Sequence, residues 1–414
     1  MPLKGPLRPS MRLVLHDFWG HPFTAQLSRE LATRGHNVMS WYCEGSPSGK
    51  GQHTRQPADP TGLSFRGLRM ASPFDRYSPA KRVRQEIAYG RLLGRWLLAA
   101  KPEVAVLCNM PLISHAIAAR IGSRAGIPMV FWHQDIVSVA VGAAAKGRLR
   151  IAGRPIARMA EVVERSIAEA SQVIVPISAD FLPVLNNWRV GHKSVVIQNW
   201  APLPEIPVHP RDNPWARAHD LVGRPVLLYA GTLGLKHNPA VLAAMAKAMR
   251  SSLPSGRFVV ISEGRGREWL AECKRREGLE NLLLLDYQPY SRFPEVLAAA
   301  DVLVAILEPS AGRYSVPSKI LSYLCSARPI VAVIPHENAA AATLRESGGG
   351  IVIAPGDDEE AAAATIDLLC DDDMRSNMGS AGRDYAETTF DIHAIGDRFE
   401  EVLFRAGRSC AITA

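Results

Sequence analysis

Arg313–Val331, RYSVPSKILSYLCSARPIV, runs from a helix start directly into a strand. Pro317 stands just ahead of Ser318 and Lys319, which open an apolar helix of about two turns through Ile320, Leu321, Tyr323 and Leu324. Arg328-Pro329 stops that helix, and the strand Ile330–Ile334 begins. A helix start leaves backbone N–H groups unpaired and carries partial positive charge, so it suits an anion. A hydroxyl and an ammonium at that end make a phosphate cradle. Taken alone, the segment also reads as a capped surface helix with a solvated lysine, and the flanking chain has to decide between the two.

Outward from this segment the chain alternates strand and helix throughout. In the first half, strands are predicted at Arg12–His16, Asn37–Tyr42, Val104–Cys108, Met129–Trp132, Val173–Pro176 and Ser194–Gln198, with a helix over Thr24–Arg34. The second half gives Val226–Tyr229, Arg257–Ser262, Leu282–Leu285, Val302–Ile306 and Ile330–Val333, with helices over Asn238–Arg250 and Arg267–Glu277. Continuous Val, Ile and Leu strands between helices indicate parallel sheets covered on both faces. The length of 414 residues fits two α/β domains, each a doubly wound, Rossmann-like parallel sheet, facing across a cleft. The expected division is 1–200, a linker over 201–222, 223–390, and a closing amphipathic helix in 391–414. Prolines at 202, 204, 207, 210 and 214 are expected to forbid a regular element in the linker.

Composition narrows the class. Hydrophobic residues make up 47% and charged residues 21%, as in a soluble globular protein. No apolar run reaches the roughly 18 residues of a membrane span. The start, MPLKGPLRPS, lacks the apolar core of a secretory signal. Six scattered cysteines without a CxxC pair favour reduced thiols in a cytoplasmic protein over disulfides or a metal site. The net charge of +8 is uneven. Residues 1–200 hold 26 Lys and Arg against 12 Asp and Glu, hence +14, and residues 201–414 hold 22 against 28, hence −6. A basic half suits an anionic membrane surface or a phosphorylated ligand, and nothing in it matches a nucleic-acid module.

The candidate site residues follow the strands. Gly20, between the first strand and the first helix, lets a backbone approach a phosphate or sugar closely. There is no GxGxxG here, which argues against a dinucleotide-dependent dehydrogenase. His133 and Asp135, in Trp132-His133-Gln134-Asp135, follow another strand and are candidate proton acceptors; a structural histidine is the other reading. Gly231-Thr232-Leu233-Gly234-Leu235-Lys236 follows the first strand of the second half, where two glycines and a lysine suit a diphosphate. Ser262-Glu263-Gly264-Arg265-Gly266 follows the next strand.

These loops, in this order, resemble the family 4 glycosyltransferases over nearly the whole chain. The resemblance is strongest in LLYAGTLGLKHNP, VVISEGRGREWL, YSRFPEVLAAADVLVAILEP and VPSKILSYLCSARPIV, and points toward bacterial exopolysaccharide or capsule enzymes of the colanic-acid type. It implies a GT-B fold, a sugar nucleotide bound mainly by the C-terminal domain, and retaining, metal-independent transfer with no cofactor. It also implies a last helix that crosses back onto the N-terminal domain. By position, Lys236 matches a lysine on the donor diphosphate, and Thr232 stands where many members have an arginine, for which Arg265 is a partial substitute. Tyr287 to Tyr290 match the nucleobase loop. His133 matches a histidine near the transferred sugar, and Gly20 a glycine loop over the diphosphate. Tyr314 and Ser322 fall where the family has two glutamates for sugar and ribose, while Ser318 and Lys319 keep the phosphate end. A serine cannot hold both ribose hydroxyls as a carboxylate does.

Two basic stretches, Lys81–Arg95 and Lys146–Arg158, mix cations with apolar residues as a helix on an anionic membrane does; a solvated helix face is the alternative. The expected protein is therefore a cytoplasmic, peripherally membrane-bound glycosyltransferase. Its partners would be a UDP- or GDP-linked sugar, a glycan or polyprenyl-diphosphate-linked acceptor and the membrane, and no nucleic acid. A GT-B epimerase, a transferase with a soluble acceptor and a non-catalytic sugar-nucleotide-binding subunit are the rival expectations.

Overall fold

The computed structural model describes residues 9–45, 51–75, 78–139, 141–142, 153–234, 237–309 and 318–411. The chain forms two units. The first comprises Met1–Asn199 and Ile392–Ala414, and the second comprises Trp200–Asp391.

Six parallel strands make the sheet of the first unit: β1 Arg12–Asp17, β2 Asn37–Cys43, β3 Leu63–Leu68, β4 Val104–Cys108, β5 Met129–His133 and β6 Val173–Pro176. Their spatial order is β3-β2-β1-β4-β5-β6. The second unit repeats the plan with β7 Val226–Ala230, β8 Arg257–Ile261, β9 Leu282–Leu285, β10 Val302–Ile306, β11 Ile330–Val333 and β12 Gly350–Ile353, ordered β12-β11-β10-β7-β8-β9. In each sheet the first strand of the unit lies beside the fourth, so the winding reverses there. Such a reversal opens a crevice at the carboxyl ends of the two strands. Those ends are Asp17 and Cys108 in one unit, and Ala230 and Ile306 in the other.

The strands pair because nearly every inward residue is apolar on both faces. β4 and β10 are buried along their whole lengths. In the second unit Leu227, Tyr229, Phe258, Val260, Val302 and Val304 form one core with Leu242, Met245 and Met249 of the helix Pro239–Ser252. In the first, Val14, Trp41 and Leu107 meet Tyr89, Leu93 and Leu97 of the helix Pro79–Ala100. That helix contains Lys81–Arg95, and its apolar stripe of Tyr89, Leu93 and Leu97 faces the core. Gly94 lets it approach the helix Leu112–Arg124, since a Cβ there would lie 2.5 Å from Ile121 Cδ1.

Two strands, β3 and β12, escape the sequence reading. Both are sheet edges: β3 is interrupted by Ser64, Arg66 and Gly67, and β12 is a short Ile-Val-Ile run behind Gly350. Ser194–Gln198 forms no strand. It meets β6 through a single bridge at Ser194, with the Val195 and Ile197 amides bonding Ile174 and Pro176 carbonyls. The expectation that prolines keep 201–222 irregular also needs correction. Pro214 opens the helix Pro214–Ala218, where a missing N–H costs nothing, and the Asn213 side chain accepts from Ala216 N. Trp215 is 2% exposed and donates to Gln288 Oε1 at 3.0 Å, so this stretch is folded into the second unit.

The helix Ile392–Ala411 belongs to the first unit. Phe399 is fully buried with its ring 4.8 Å from Trp132. Arg34 binds Asp397 at 2.6 Å and Glu400 at 2.9 Å, and His36 meets Glu400 at 3.0 Å.

Two buried histidines set a pH limit on this unit. Burial lowers His16 to about 4, with its Nε2 against Tyr89 Oη at 2.8 Å. Burial, with repulsion from His16 and His133, lowers His115 to about 3. Their ordinary value is 6.5, so the unfolded chain takes up these protons first as pH falls. Stability present above pH 6.5 is therefore lost as pH falls toward 4. Between about pH 7.5 and about pH 5.5 each histidine is expected to cost about 1.4 kcal/mol. Urea unfolding at the two pH values checks this, with His115→Phe removing roughly half of the loss attributed to the pair.

Candidate functional site

In the second unit the crevice at β7 and β10 is built around Lys319. The helix Lys319–Cys325 is pinned to the end of β7 by Tyr323, whose hydroxyl accepts from Ala230 N and donates to Ala230 O, both at 3.0 Å. This places Lys319 beneath Gly231. Gly231 has φ 148°, and a Cβ there would lie 2.7 Å from Lys319 Nζ, so glycine is what admits the lysine. The Nζ stands 3.9 Å from the Tyr229 ring centroid. Among the described residues this buried Nζ has no hydrogen-bond partner. Burial pulls its pKa from 10.5 down to about 7. A buried ammonium without an anion is costly, and an anionic ligand at this position would remove that cost. Ser318 is the N-cap of the same helix, but its side chain makes no capping bond and is exposed. Ser322 is half-buried one turn further on.

The neighbouring loops form a rim. Tyr229 donates to Thr232 O at 3.0 Å, and the Thr232 and Tyr287 hydroxyls meet at 2.5 Å. Gly264 has φ 98°, and a Cβ on Gly266 would lie 2.7 Å from Leu233 Cβ. The GxG around Arg265 is thus explained by close packing of the two loops. Arg265 itself is the exposed first residue of the helix Arg265–Glu277. Tyr290 does not join this group. Its hydroxyl lies beside Glu205, where burial and that carboxylate push its pKa well up. Lys236 and Tyr314 lie outside the described residues.

In the first unit the crevice at β1 and β4 centres on Asp17, which the sequence reading passed over. Its carboxylate is fully buried. Asp17 Oδ1 accepts from Trp19 N at 3.0 Å and Gly20 N at 3.2 Å; Oδ2 accepts from His21 N at 3.1 Å, Thr24 Oγ1 at 2.8 Å and Asn109 Nδ2 at 3.2 Å. His21 Nδ1 stands 3.0 Å from Oδ2. Burial alone would raise the Asp17 pKa, but the charge and bonds of His21 and Thr24 outweigh it and hold it far below the ordinary range. His21 is raised in turn: burial opposes its charge, and Asp17 and then Asp135 outweigh burial. Gly20, at φ 72°, has its amide turned to Asp17 and its carbonyl bonded by His53 Nε2 at 2.8 Å and Gly51 N at 3.0 Å. Its amide and its carbonyl are therefore both bonded within the unit.

His133 is likewise turned inward. It is 1% exposed, and its Nε2 lies 3.1 Å from Glu164 Oε1. Glu164 also accepts from Val137 N and Ser138 N, both at 2.8 Å. Burial raises the Glu164 pKa, and His133 and Ser138 more than reverse it. His133 is thus buried with its Nε2 held by Glu164, while its Nδ1 has no hydrogen-bond partner among the described residues. Asp135 is exposed and electrostatically coupled to His21. Gln134 and Asn199 exchange amide bonds at 2.6 and 3.2 Å. Among the described residues no group of three His, Cys, Asp or Glu is placed to hold a metal ion.

Two identically ordered parallel sheets, each with its polar loops at the reversal point, define the GT-B class of glycosyltransferase fold. Residues 224–371 match the family described as glycosyl transferases group 1, and residues 20–200 match the glycosyl transferase 4-like domain. The chain belongs to the group 1, family-4-like glycosyltransferases. Among solved structures, sucrose-phosphate synthase from Thermosynechococcus elongatus aligns with TM-score 0.74 at 16% identity, over 96% of this chain and 99% of that one. Anabaena HepE in complex with UDP-glucose aligns with TM-score 0.68 at 15% identity, over 95% and 99%. The lipopolysaccharide glycosyltransferase WaaG aligns with TM-score 0.67 at 12% identity, over 94% and 99%. No curated protein matches the sequence. These likenesses concern the fold.

Proposed function

We propose that the chain moves a sugar from a UDP- or GDP-linked donor to a glycan acceptor carried on polyprenyl diphosphate, during assembly of a cell-surface polysaccharide at the cytoplasmic face of the membrane. The observation that carries the donor half is the buried Lys319 Nζ beneath Gly231, which has no hydrogen-bond partner among the described residues. The HepE complex with UDP-glucose lends support by analogy. The acceptor half rests on the basic first half of the chain and on the family resemblance.

In the transfer, the bond from the anomeric carbon to the diphosphate oxygen breaks as the acceptor oxygen bonds to that carbon. Lys319 and Ser318 stabilise the charge gathering on the departing diphosphate. That oxygen then takes the acceptor proton, on the same face, so configuration is retained. Lys236 adds a second cation in this reading, and no metal is required. Ser322, where an acid is expected, favours a second reading, a sugar-nucleotide-binding subunit without turnover. Turnover of a matched donor and acceptor, lost in Lys319→Ala, excludes that reading.

A thermal-shift screen against UDP-, GDP- and ADP-sugars tests the donor site. A sugar nucleotide at about 100 times its Kd should stabilise the chain by about 2.7 kcal/mol. If none of the three classes moves the melting temperature, the donor-site reading fails.

A further inference from the structure

Of the histidines near the carboxyl ends of β1 and β5, His16, His115 and His133 are buried. His21 differs. Its side chain is 30% exposed, while its partner Asp17 is fully buried. His21 Nδ1 stands 3.2 and 3.0 Å from the two Asp17 oxygens, and Asp17 is held ionised, so Nδ1 carries a ring proton in either charge state. Nε2 is therefore the atom turned away from the carboxylate. Among the described residues it takes no hydrogen-bond partner, and it is not buried. The ring stacks on Phe23 at 5.3 Å with an interplanar angle of 13°, and Phe23 packs edge-on against Trp132. Its direction is thus fixed by packing as well as by Asp17.

The charges around this nitrogen narrow the ligand. Burial opposes a charge on the ring, and Asp17 on β1 and the exposed Asp135, just beyond β5, outweigh it. Burial keeps the Cys108 thiol protonated at the end of β4, and the next residue, Asn109, is neutral, so that strand end adds no charge. An incoming phosphate or carboxylate would meet two carboxylates here. A hydroxyl can accept from Nε2–H and donate to Asp135 at once. We propose that His21 and Asp135 hold a hydroxyl of the acceptor sugar, with Nε2–H donating to its oxygen and the Asp135 carboxylate accepting its hydrogen. Asp17 does not touch the sugar; it sets the tautomer and direction of the imidazole. The half-buried Trp19, edge-on to Phe18 and Phe74 on the same loop, offers a surface for the apolar face of a sugar ring. The inference rests on the transferase reading above and names the group of the acceptor that the first unit recognises.

The test uses the full chain isotopically labelled at histidine, in which the His21 ring signal is identified by its loss in His21→Gln. Methyl glycosides of glucose, galactose, mannose, rhamnose and N-acetylglucosamine are titrated in, with inorganic phosphate as the anionic arm. At least one glycoside should move the His21 signal and raise the pH at which the ring titrates, because the bound hydroxyl favours the charged form. Its binding should therefore weaken as pH rises through that value. Asp135→Asn should weaken binding of the same glycoside by about tenfold or more, and should lower the titration of His21 in the free chain. Asp135 is exposed, so this variant should keep the wild-type urea midpoint. The proposal is overturned if no glycoside moves the His21 signal, if phosphate moves it more than any glycoside, or if Asp135→Asn binds the glycoside as wild type does. A glycoside response at His21 without any UDP thermal shift would keep this site and remove the donor-site reading. A UDP shift without a glycoside response would do the reverse.

Discussion

Replacing Lys319 by Met should raise the melting temperature of the ligand-free chain while weakening the binding of a nucleoside diphosphate about 10–100-fold. Both effects come from one fact: the Nζ is buried without a described partner, and its pKa is drawn to about 7. The unfolded chain binds this proton up to 10.5, the folded chain only up to about 7. The penalty is therefore fully present below pH 7 and fades as pH rises toward 10.5. Methionine fills the space without the charge, and a gain on the order of 1–3 kcal/mol is expected near neutral pH. A diphosphate restores the charged form, so its binding takes up a proton above pH 7 and weakens as pH rises. Paired unfolding curves and UDP titrations of the two proteins at several pH values check all three statements. A variant that is less stable than wild type at neutral pH, or binds UDP equally well, contradicts the account.

Asp17→Asn should destabilise the first unit by about 3–5 kcal/mol. The Asp17 carboxylate accepts on both oxygens, from Trp19 and Gly20 amides on one side and from His21, Thr24 and Asn109 on the other. An asparagine must turn its NH2 toward one of these donor sets, whichever way the amide is flipped. The charge that holds His21 above its ordinary pKa is lost as well, so the His21 imidazole should titrate lower. Urea unfolding gives the first quantity, and NMR titration of the His21 ring gives the second. An unfolding midpoint within error of wild type would sink the claim that Asp17 organises this loop.

Most of the fold could be read from the sequence because central parallel strands are continuous apolar runs. β7, β8 and β10 announce themselves in this way. β3 and β12 do not, since an edge strand is covered less and tolerates Ser, Arg and Gly. The helix start at Ser318-Lys319 was legible for a related reason: a serine and a lysine after a proline are a local signal. The link between Lys319 and Gly231 is not local, because it depends on Tyr323 anchoring the helix to β7. The surroundings of His133 were not legible. A histidine at a strand end looks available, and only its distant partner Glu164 reveals that it faces inward. Asp17 and Asn109 carried a faint signal: an acid ending the first strand three residues before Gly20, and a polar residue directly after β4. Asn109 takes φ 50°, a conformation its short amide side chain tolerates.

The helix Ile392–Ala411 gives the first unit a peculiar timetable during synthesis. Its partners Arg34, His36 and Trp132 emerge from the ribosome early, whereas Phe399 and Glu400 follow only after the whole second unit has been made. At about 5–20 residues per second, the face awaiting this helix stays uncovered for tens of seconds. The unit translated first is thus the unit completed last.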